Sequence, residues 1–260
     1  MITMTFRPGQ HVITSMASNV LAAIFLTATF SKMANADTLS LTVGGGIWNE
    51  TPDGTYFKTD DPTPIDVKND LYWDTESQGY FFATLEHPVP IIPNARLSYT
   101  RLEHPGSGDA SFVYDGVTYN GFIENKIDIE MLDLLLYYEV LDNVVSVDLG
   151  LNIRKLDVDY MLQEAVAGRT TDSASETVPM LYGLVGFSPL PDLIISGEIS
   201  FVSYDGSTLS DFTAKIAYTT NFLVGIEAGY RSQTFELDDL DDTNTDLTFD
   251  GPFVGAYLKF

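Results

Sequence analysis

The chain has 260 residues, with 37 acidic against 13 basic side chains, and its formal charge at pH 7 is −24. Such an acidic protein lacks the Lys and Arg surface that binds nucleic acid through counterion release, so nucleic-acid partners are excluded. It contains no cysteine, which excludes disulfides, thiolate catalysis and cysteine-ligated metal sites.

The first 36 residues have the pattern of a secretory signal peptide. Arg7 precedes the apolar run Val20–Phe30, which leads to the small-residue cleavage site Ala34-Asn35-Ala36. The run is too short to span a bilayer, which takes roughly 20 residues. We therefore expect residues 1–36 to be removed and residues 37–260 to form one exported domain. The sequence leaves open whether translation starts at Met1, Met4 or Met16.

From residue 37 onward, segments with period-2 hydrophobicity alternate with polar connections. This periodicity places apolar side chains on one face of an extended strand and polar ones on the other. The clearest case is the run from Val145, in which every second residue up to Ile153 is Val, Leu or Ile. The ten predicted strands are Leu39–Trp48, Gly79–Glu86, Ala95–Glu103, Lys126–Leu141, Val145–Arg154, Glu176–Ser188, Leu193–Tyr204, Asp211–Thr219, Phe222–Leu237 and Leu247–Phe260.

The predicted connections alternate in length. Those after the even-numbered strands are short, and those after the odd-numbered strands are mostly long, as in membrane barrels with short periplasmic turns and longer outer loops. The predicted fold class is therefore all-β: a transmembrane up-and-down antiparallel β-barrel of about ten strands. Eight or twelve strands, or a soluble acidic β-sandwich, are the alternatives. The five predicted outer loops are Asn49–Gln78, His104–Asn125, Gln163–Ser175, Asp205–Ser210 and Asp238–Asp246.

If the apolar faces meet lipid, the opposite faces line the interior. Charged residues there would pair, because an unpaired charge in a narrow interior is costly. A barrel of eight to ten strands has an interior that side chains just fill, so a plugged interior is expected. A thin hydrated path for small solutes or ions is the alternative. The predicted interior charges are Arg96, Asp148, Arg154, Glu198, Lys215, Glu227 and Arg231.

Two further groups of residues are predicted at the membrane borders. Aromatic residues near strand ends are expected to form interfacial girdles: Trp48, Tyr80, Tyr99, Tyr137, Tyr218, Tyr230 and Tyr257. The last predicted outer loop carries five carboxylates: Asp238, Asp239, Asp241, Asp242 and Asp246. Oxygen ligands suit Ca²⁺, but the spacing does not match an EF-hand. A solvated charge run without a cofactor is expected, with Ca²⁺ binding or divalent bridging to anionic lipid as alternatives.

Only one histidine suggests catalysis. His104 is predicted at an outer strand end, with Glu103 and Asp109 near it in sequence. A catalytic base also needs an orienting group and a nucleophile or water within reach, and no hydrolase, metalloprotease, P-loop or dinucleotide motif occurs. The chain is therefore predicted not to be an enzyme.

Three segments resemble a family of small outer-membrane β-barrel proteins of marine gamma-proteobacteria, named for an N-terminal glycine-glycine signature. These segments are Val43–Asn49 (VGGGIWN), His87–Tyr99 (HPVPIIPNARLSY) and the terminal GAYLKF. The resemblance implies a barrel in the bacterial outer membrane and no established substrate or catalytic residue. It also implies that barrel-assembly machinery reads the terminal aromatic strand, at Leu258 and Phe260.

The sequence thus predicts a structural or narrow passive-pore role in the outer membrane. Binding of cations or partners through acidic outer loops is the alternative, and a barrel hydrolase is less favoured. The expected partners are outer-membrane lipid and lipopolysaccharide, the barrel-assembly machinery and periplasmic chaperones. We expect a monomer.

Overall fold

A computed structural model describes residues 39–61, 63–220, 222–240 and 242–260, and the predicted signal peptide lies outside these ranges. No helix in the described part is long and apolar enough to cross a bilayer. The strands are β1 Ser40–Lys58, β2 Ile65–Asp66, β3 Glu76–Glu86, β4 Asn94–Tyr114, β5 Val117–Asp142, β6 Val145–Glu164, β7 Gly168–Leu190, β8 Leu193–Tyr204, β9 Ser207–Thr219, β10 Val224–Leu240 and β11 Thr243–Lys259.

The strands close into an antiparallel barrel. From β3 to β11 each strand pairs with the next in sequence, and β1 pairs with both β3 and β11. Ten strands therefore form the wall, and no open edge is left between first and last. The additional strand β2 pairs only with Thr55 and Tyr56 of β1. Backbone bonds between Leu41 and Phe260, 3.1 and 2.8 Å long, complete the closure beside the chain end. The predicted ten-stranded barrel is confirmed.

The prediction of long outer loops is wrong for most of the barrel. We call the end that holds Leu41 and Phe260 the terminal end and the opposite end the far end. At the far end β4 and β5 continue to the two-residue turn Asp115-Gly116, and β8 and β9 to Asp205-Gly206. All four turn residues have φ between 48° and 84°. This is the conformation that Asp-Gly favours in tight hairpins. The two Asp-Gly dipeptides therefore indicate in the sequence that the paired strands continue up to a two-residue turn.

The polarity of the barrel wall inverts along its axis, as β6 shows. Near the terminal end its outward side chains are apolar, from Val145 to Ile153, and its inward ones are polar. Beyond Arg154 the strand keeps its two-residue period, but the outward residues become Lys155, Asp157 and Asp159, and the inward ones Leu156, Val158, Tyr160 and Leu162. Apolar-out suits lipid and apolar-in suits water. The barrel therefore has a membrane-type half and a half built like a soluble protein, which we call the extension.

Exposed aliphatic and aromatic side chains form a band around the membrane-type half. They include Leu41, Val43, Ile47, Phe81, Leu97, Leu132, Leu149, Val185, Ile199, Ile216, Ile226 and Val254. The prediction of aromatic girdles is correct only in part. Tyr218 and Tyr230 are almost half exposed on the outer surface, whereas Trp48 and Tyr137 are buried and Tyr80 and Tyr257 line the interior.

The interior of the extension is filled by one cluster of buried apolar side chains, which we call the seal. Its members come from the extension halves of the strands and from the β1–β3 connection: Trp48, Ile65, Val67, Leu71, Trp73, Leu102, Phe112, Tyr114, Tyr119, Ile123, Ile127, Ile129, Met131, Tyr160, Leu162, Met180, Leu209, Phe235, Leu247, Phe249 and Phe253. Burial of this much apolar surface supplies the hydrophobic core that the polar interior of the other half lacks.

The β1–β3 connection contributes to the seal because β3 is short. β3 pairs with β4 only as far as Tyr80↔Thr100, so the far-end half of β4 has no strand partner on that side. The connection covers this gap. Trp73 Nε1 donates to Asn125 Oδ1 (2.6 Å), and Asn125 Nδ2 donates to the Leu71 carbonyl (2.8 Å).

Candidate functional site: the interior cavity

A cavity of about 510 Å³ occupies the membrane-type half of the barrel. Its lining begins at the terminal end with residues such as Ser40, His87 and Asp142, and it stops at Arg154 and Trp48, where the seal begins. The cavity is therefore a pocket that opens toward the terminal end and is closed toward the far end. All seven charged residues that the sequence places in the interior line it: Arg96, Asp148, Arg154, Glu198, Lys215, Glu227 and Arg231.

The floor of the cavity is a buried charge network centred on Asp211. Its carboxylate accepts hydrogen bonds from Arg154, Arg231 and Gln233, the last at 2.7 Å. Arg154 also donates to both oxygens of Asp133, at 2.8 and 3.1 Å. Because Arg154 is only 1% exposed, its charge is tolerable only with such partners.

Nearer the opening, two smaller ion pairs each include a tyrosine. Arg96 Nη2 and Tyr182 Oη both donate to Glu198 Oε2, at 2.9 and 2.7 Å. On the opposite wall Tyr80 Oη donates to Glu227 Oε1 at 2.8 Å, and Lys215 Nζ lies 3.3 Å from Glu227 Oε2. The phenol and amine groups thus satisfy carboxylates that would otherwise be costly in this interior.

Glycines make room for the Tyr80 side chain to reach Glu227. A Cβ on Gly255 or Gly46 would collide with the Tyr80 hydroxyl. These interior-facing glycines lie on neighbouring strands β1 and β11, paired as Gly46↔Gly255. The glycine cluster of β1 therefore provides close packing of an aromatic ring against the wall.

The opening of the cavity is rich in carboxylates. Glu139 lies directly opposite Asp148 on the neighbouring strand, and Asp142 is the last residue of β5. Glu86 accepts a hydrogen bond from Tyr137 Oη (3.1 Å) and lies 3.9 Å from Lys259 Nζ.

Sequence reasoning missed both anions of the floor network. Asp133 lies within an apolar run, between Leu132 and Leu134, where periodicity is hard to assign; both leucines face outward, so Asp133 faces the interior. Asp211 is predicted as the first residue of a strand, next to a loop. The Asp205-Gly206 turn extends that strand to Ser207 and places Asp211 deep in the barrel.

The catalytic candidate His104 is not at a strand end but within β4, facing the seal and fully buried. Its ring stacks between Trp73 and Phe249, with centroid distances of 5.8 and 5.4 Å. Its Nε2 lies 2.8 Å from Oε1 of Glu50, which is also fully buried. Burial raises the pKa of Glu50 above its ordinary value. The two acidic neighbours in sequence, Glu103 and Asp109, face outward, away from the imidazole.

The predicted acidic loop is part of a hairpin instead. Asp238 lies on β10 and is exposed, and Asp246 lies on β11 opposite Glu236. Asp242 has a φ of 61° in the turn. The side chains of Asp239 and Asp241 lie outside the described part of the structure. Among the residues that are described, no group of three or more His, Asp or Glu side chains is arranged to hold a metal ion.

Comparison with solved structures identifies the architecture. The outer-membrane protease OmpT from Escherichia coli superposes with a TM-score of 0.52, at 7% identity, over 87% of this chain and 99% of that one. The fold is that of a bacterial outer-membrane β-barrel. Two further barrels match less closely. A major outer-membrane protein from Thermus thermophilus has a TM-score of 0.41, at 13% identity, over 86% of this chain and 100% of that one. The attachment invasion locus protein Ail of Yersinia pestis has a TM-score of 0.37, at 10% identity, over 86% of this chain and 100% of that one.

The likeness to OmpT shows the fold alone. No protein-family model matches the chain, and no curated protein matches its sequence.

Proposed function

We propose that this protein is a sealed, non-conducting barrel of the bacterial outer membrane, which anchors its extension at the cell surface. The observation that carries the proposal is the position of the seal. It fills the interior over the whole extension, while the cavity of the other half ends at the Arg154 network.

The inversion of wall polarity supports the membrane placement. Only the half near the terminal end carries an outward apolar band, which suits hydrocarbon, and the charged outer wall of the extension suits water. Outer-membrane barrels extend farther from the membrane on the outer side than on the periplasmic side, and here the strands continue well beyond the apolar band only at the far end. The extension therefore points outward and the cavity opens to the periplasm.

The outer wall of the extension bears an ion-pair network just beyond the apolar band. Arg101 pairs with Asp128 and Glu103, and Lys126 lies 2.9 Å from Glu103. The Arg101 guanidinium lowers the pKa of Asp128. Exposed pairs contribute little stability, but at this height they would lie among lipid headgroups.

Conductance of the folded protein in planar bilayers tests the proposal. We expect no stepwise current from protein whose folding has been verified by heat-modifiable electrophoretic mobility, in bilayers where a general porin gives normal openings. Steady openings that scale with salt concentration would show that the seal is not closed, and would favour a narrow passive pore.

Surface binding is the second candidate function, and the acidic exterior of the extension favours it. If the extension binds cations or a cationic partner, millimolar Ca²⁺ or the partner should raise the unfolding temperature by preferential binding to the native state. An unchanged unfolding temperature in both cases would leave anchoring as the better account.

A further inference from the structure

The turn between β3 and β4, residues 87–93, exposes large apolar side chains at the terminal end of the barrel. Its sequence is HPVPIIP, and Val89, Ile91 and Ile92 are all exposed, Ile91 to 85%. Contiguous exposed apolar groups of this kind mark a surface that a partner molecule or a membrane covers. The position of the turn, its backbone and the length of the strands beside it indicate which of the two it is.

The turn lies against the outer wall of the barrel and not across the cavity opening. Tyr138 faces outward on β5, and its hydroxyl donates a hydrogen bond to the Ile91 carbonyl at 2.9 Å. None of the apolar side chains of the turn lines the cavity. On the adjoining strands the outward side chains nearest the turn include Leu85 and Leu97, which are also exposed. The apolar surface of the turn is therefore continuous with the apolar band.

The backbone of the turn has few free polar groups. Three of its seven residues are proline, which has no N–H, and three of the other four N–H groups donate hydrogen bonds locally. Val89 N and Ile92 N donate to His87 Nδ1 and to the Val89 carbonyl, both at 3.3 Å. His87 N donates to Asn94 Oδ1 at 3.0 Å, and His87 Nε2 lies 3.2 Å from the Pro93 carbonyl. Hydrocarbon offers no hydrogen-bonding partner, so a segment within it must satisfy its polar groups in this way.

The strand after the turn is too short to carry the apolar band alone. The outward residues of β4 are apolar or aromatic only from Ala95 to Tyr99, and Arg101 of the outer ion-pair network follows. From Ala95 to Arg101 the strand rises ~20 Å at ~3.3 Å per residue, or ~15 Å of height at a tilt of ~40°, whereas such a band is about 25 Å tall. On β6 the stretch from Val145 to Lys155 reaches ~25 Å by the same measure. About 10 Å is thus missing beside β4, where the turn lies.

We propose that residues 87–93 are a lipid anchor, immersed in the membrane leaflet at the terminal end, with Val89, Ile91 and Ile92 in contact with acyl chains. The turn completes the apolar band where β3 and β4 end, and Tyr138 holds it against the outer wall. Acyl chains are the favoured occupant because the surface continues the lipid-facing band and because its backbone offers few groups for a protein to bind. The anchor fixes the depth of this side of the barrel in the membrane, whether or not the barrel conducts.

Fluorescence quenching at single cysteines tests the depth of the turn, since the chain contains no cysteine of its own. Ile91→Cys, labelled with the fluorophore NBD, is folded into phospholipid nanodiscs, both faces of which meet the solution. Lipids that carry a nitroxide on the acyl chain should quench this probe strongly, and iodide in the solution should quench it weakly. Val89→Cys tests the same turn if heat-modifiable electrophoretic mobility shows that the first variant does not fold.

The matched control is Val166→Cys, in the β6–β7 turn at the far end, where the valine is 92% exposed. Its probe should show the opposite behaviour, with iodide quenching several-fold stronger than at position 91 and little quenching by the nitroxide lipids. Equal iodide quenching at the two positions would overturn the proposal, and would leave the apolar surface of the turn for a periplasmic protein to cover.

Tyr138→Phe tests what holds the turn in place. The change keeps the ring but removes the donor to the Ile91 carbonyl, and an unpaired carbonyl is costly in hydrocarbon. The turn should then move toward water, so iodide quenching at position 91 should rise while quenching at position 166 stays the same. Unchanged quenching at position 91 would overturn the role that we assign to Tyr138.

Discussion

His104 Nε2 and Glu50 Oε1 lie 2.8 Å apart inside the seal, and neither side chain reaches solvent. The pair joins β4 to β1 across the gap that β3 leaves open, and aromatic rings cover the imidazole on both faces. A polar pair in such a place stabilises the fold only while both members are present.

We therefore expect Glu50→Leu and His104→Leu each to lower the free energy of unfolding by about 3 kcal/mol, because each leaves a buried polar partner unsatisfied. The double variant should lose less than the sum of the two, since no orphan remains. Urea unfolding in lipid vesicles measures all three. Glu103→Leu, on the exposed face of β4, is the control and should cost under about 1 kcal/mol. Additive losses would mean that the two side chains do not interact.

The polarity inversion of the barrel wall predicts that the cost of placing an arginine on the outer face depends on its position along the barrel axis. Leu149→Arg, in the apolar band, should cost about 2–4 kcal/mol of unfolding free energy in a lipid bilayer. Met161→Arg is the matched change on the same face of the same strand, but in the extension, and should cost under about 1 kcal/mol. Asp148→Asn, on the inner face, should cost less than Leu149→Arg. Equal costs for the two arginine variants would contradict the border that we place near Arg154.

The packing of Tyr80 against glycines predicts a rescue. Gly255→Ala should cost about 1–3 kcal/mol through overpacking, mostly by collision with the Tyr80 hydroxyl. Tyr80→Phe removes that atom, so Gly255→Ala should cost clearly less in the Tyr80→Phe background. Gly46→Ala is the control: its Cβ also collides with the backbone oxygen of Val254, which no change at position 80 removes. Thermal unfolding of the three single and two double variants decides; rescue of both glycine variants, or of neither, would contradict this packing.

The β1–β3 connection should loosen in acid. Asn69 N and Lys68 N each donate a hydrogen bond to Asp66 Oδ1 at 2.9 Å. These hydrogen bonds lower the pKa of Asp66, and the one from Asn69 has the largest effect. Because the pKa of Asp66 is lower in the folded state than in the unfolded state, its ionised carboxylate stabilises the fold. This stabilisation is fully present above the unfolded-state pKa, about 3.9. It is lost as the pH falls through the folded-state pKa.

Trp73 fluorescence in a Trp48→Phe background should report this loosening, as a red shift that begins below the unfolded-state pKa while the barrel still resists heat. Asp66→Asn cannot ionise and should remove this pH dependence. A shift with the same midpoint in Asp66→Asn would assign the loosening to another carboxylate.

How much the sequence determined differs between the two halves of the barrel. The membrane-type half could be predicted because lipid demands apolar side chains at every second position, and the run from Val145 to Ile153 shows that demand directly. The alternation of apolar and polar residues also predicted which charged residues face the interior, and all seven of them line the cavity.

The extension could not be predicted from the demand for apolar outward residues. Its outer wall faces water, so there the outward residues are polar and the inward ones apolar. Polar stretches of β4 and β5 suggested loops, but they are strands whose inner residues are apolar. Only the Asp-Gly dipeptides at the turns indicated in the sequence that these strands continue. The sequence by itself thus predicted a closed barrel of about ten strands, with eight or twelve left open, and which faces meet lipid. The tertiary structure alone decided where the barrel is sealed. Sealing depends on contacts between residues far apart in the chain, such as Trp73 with His104 and Phe249 with Phe235, and no local periodicity encodes these contacts.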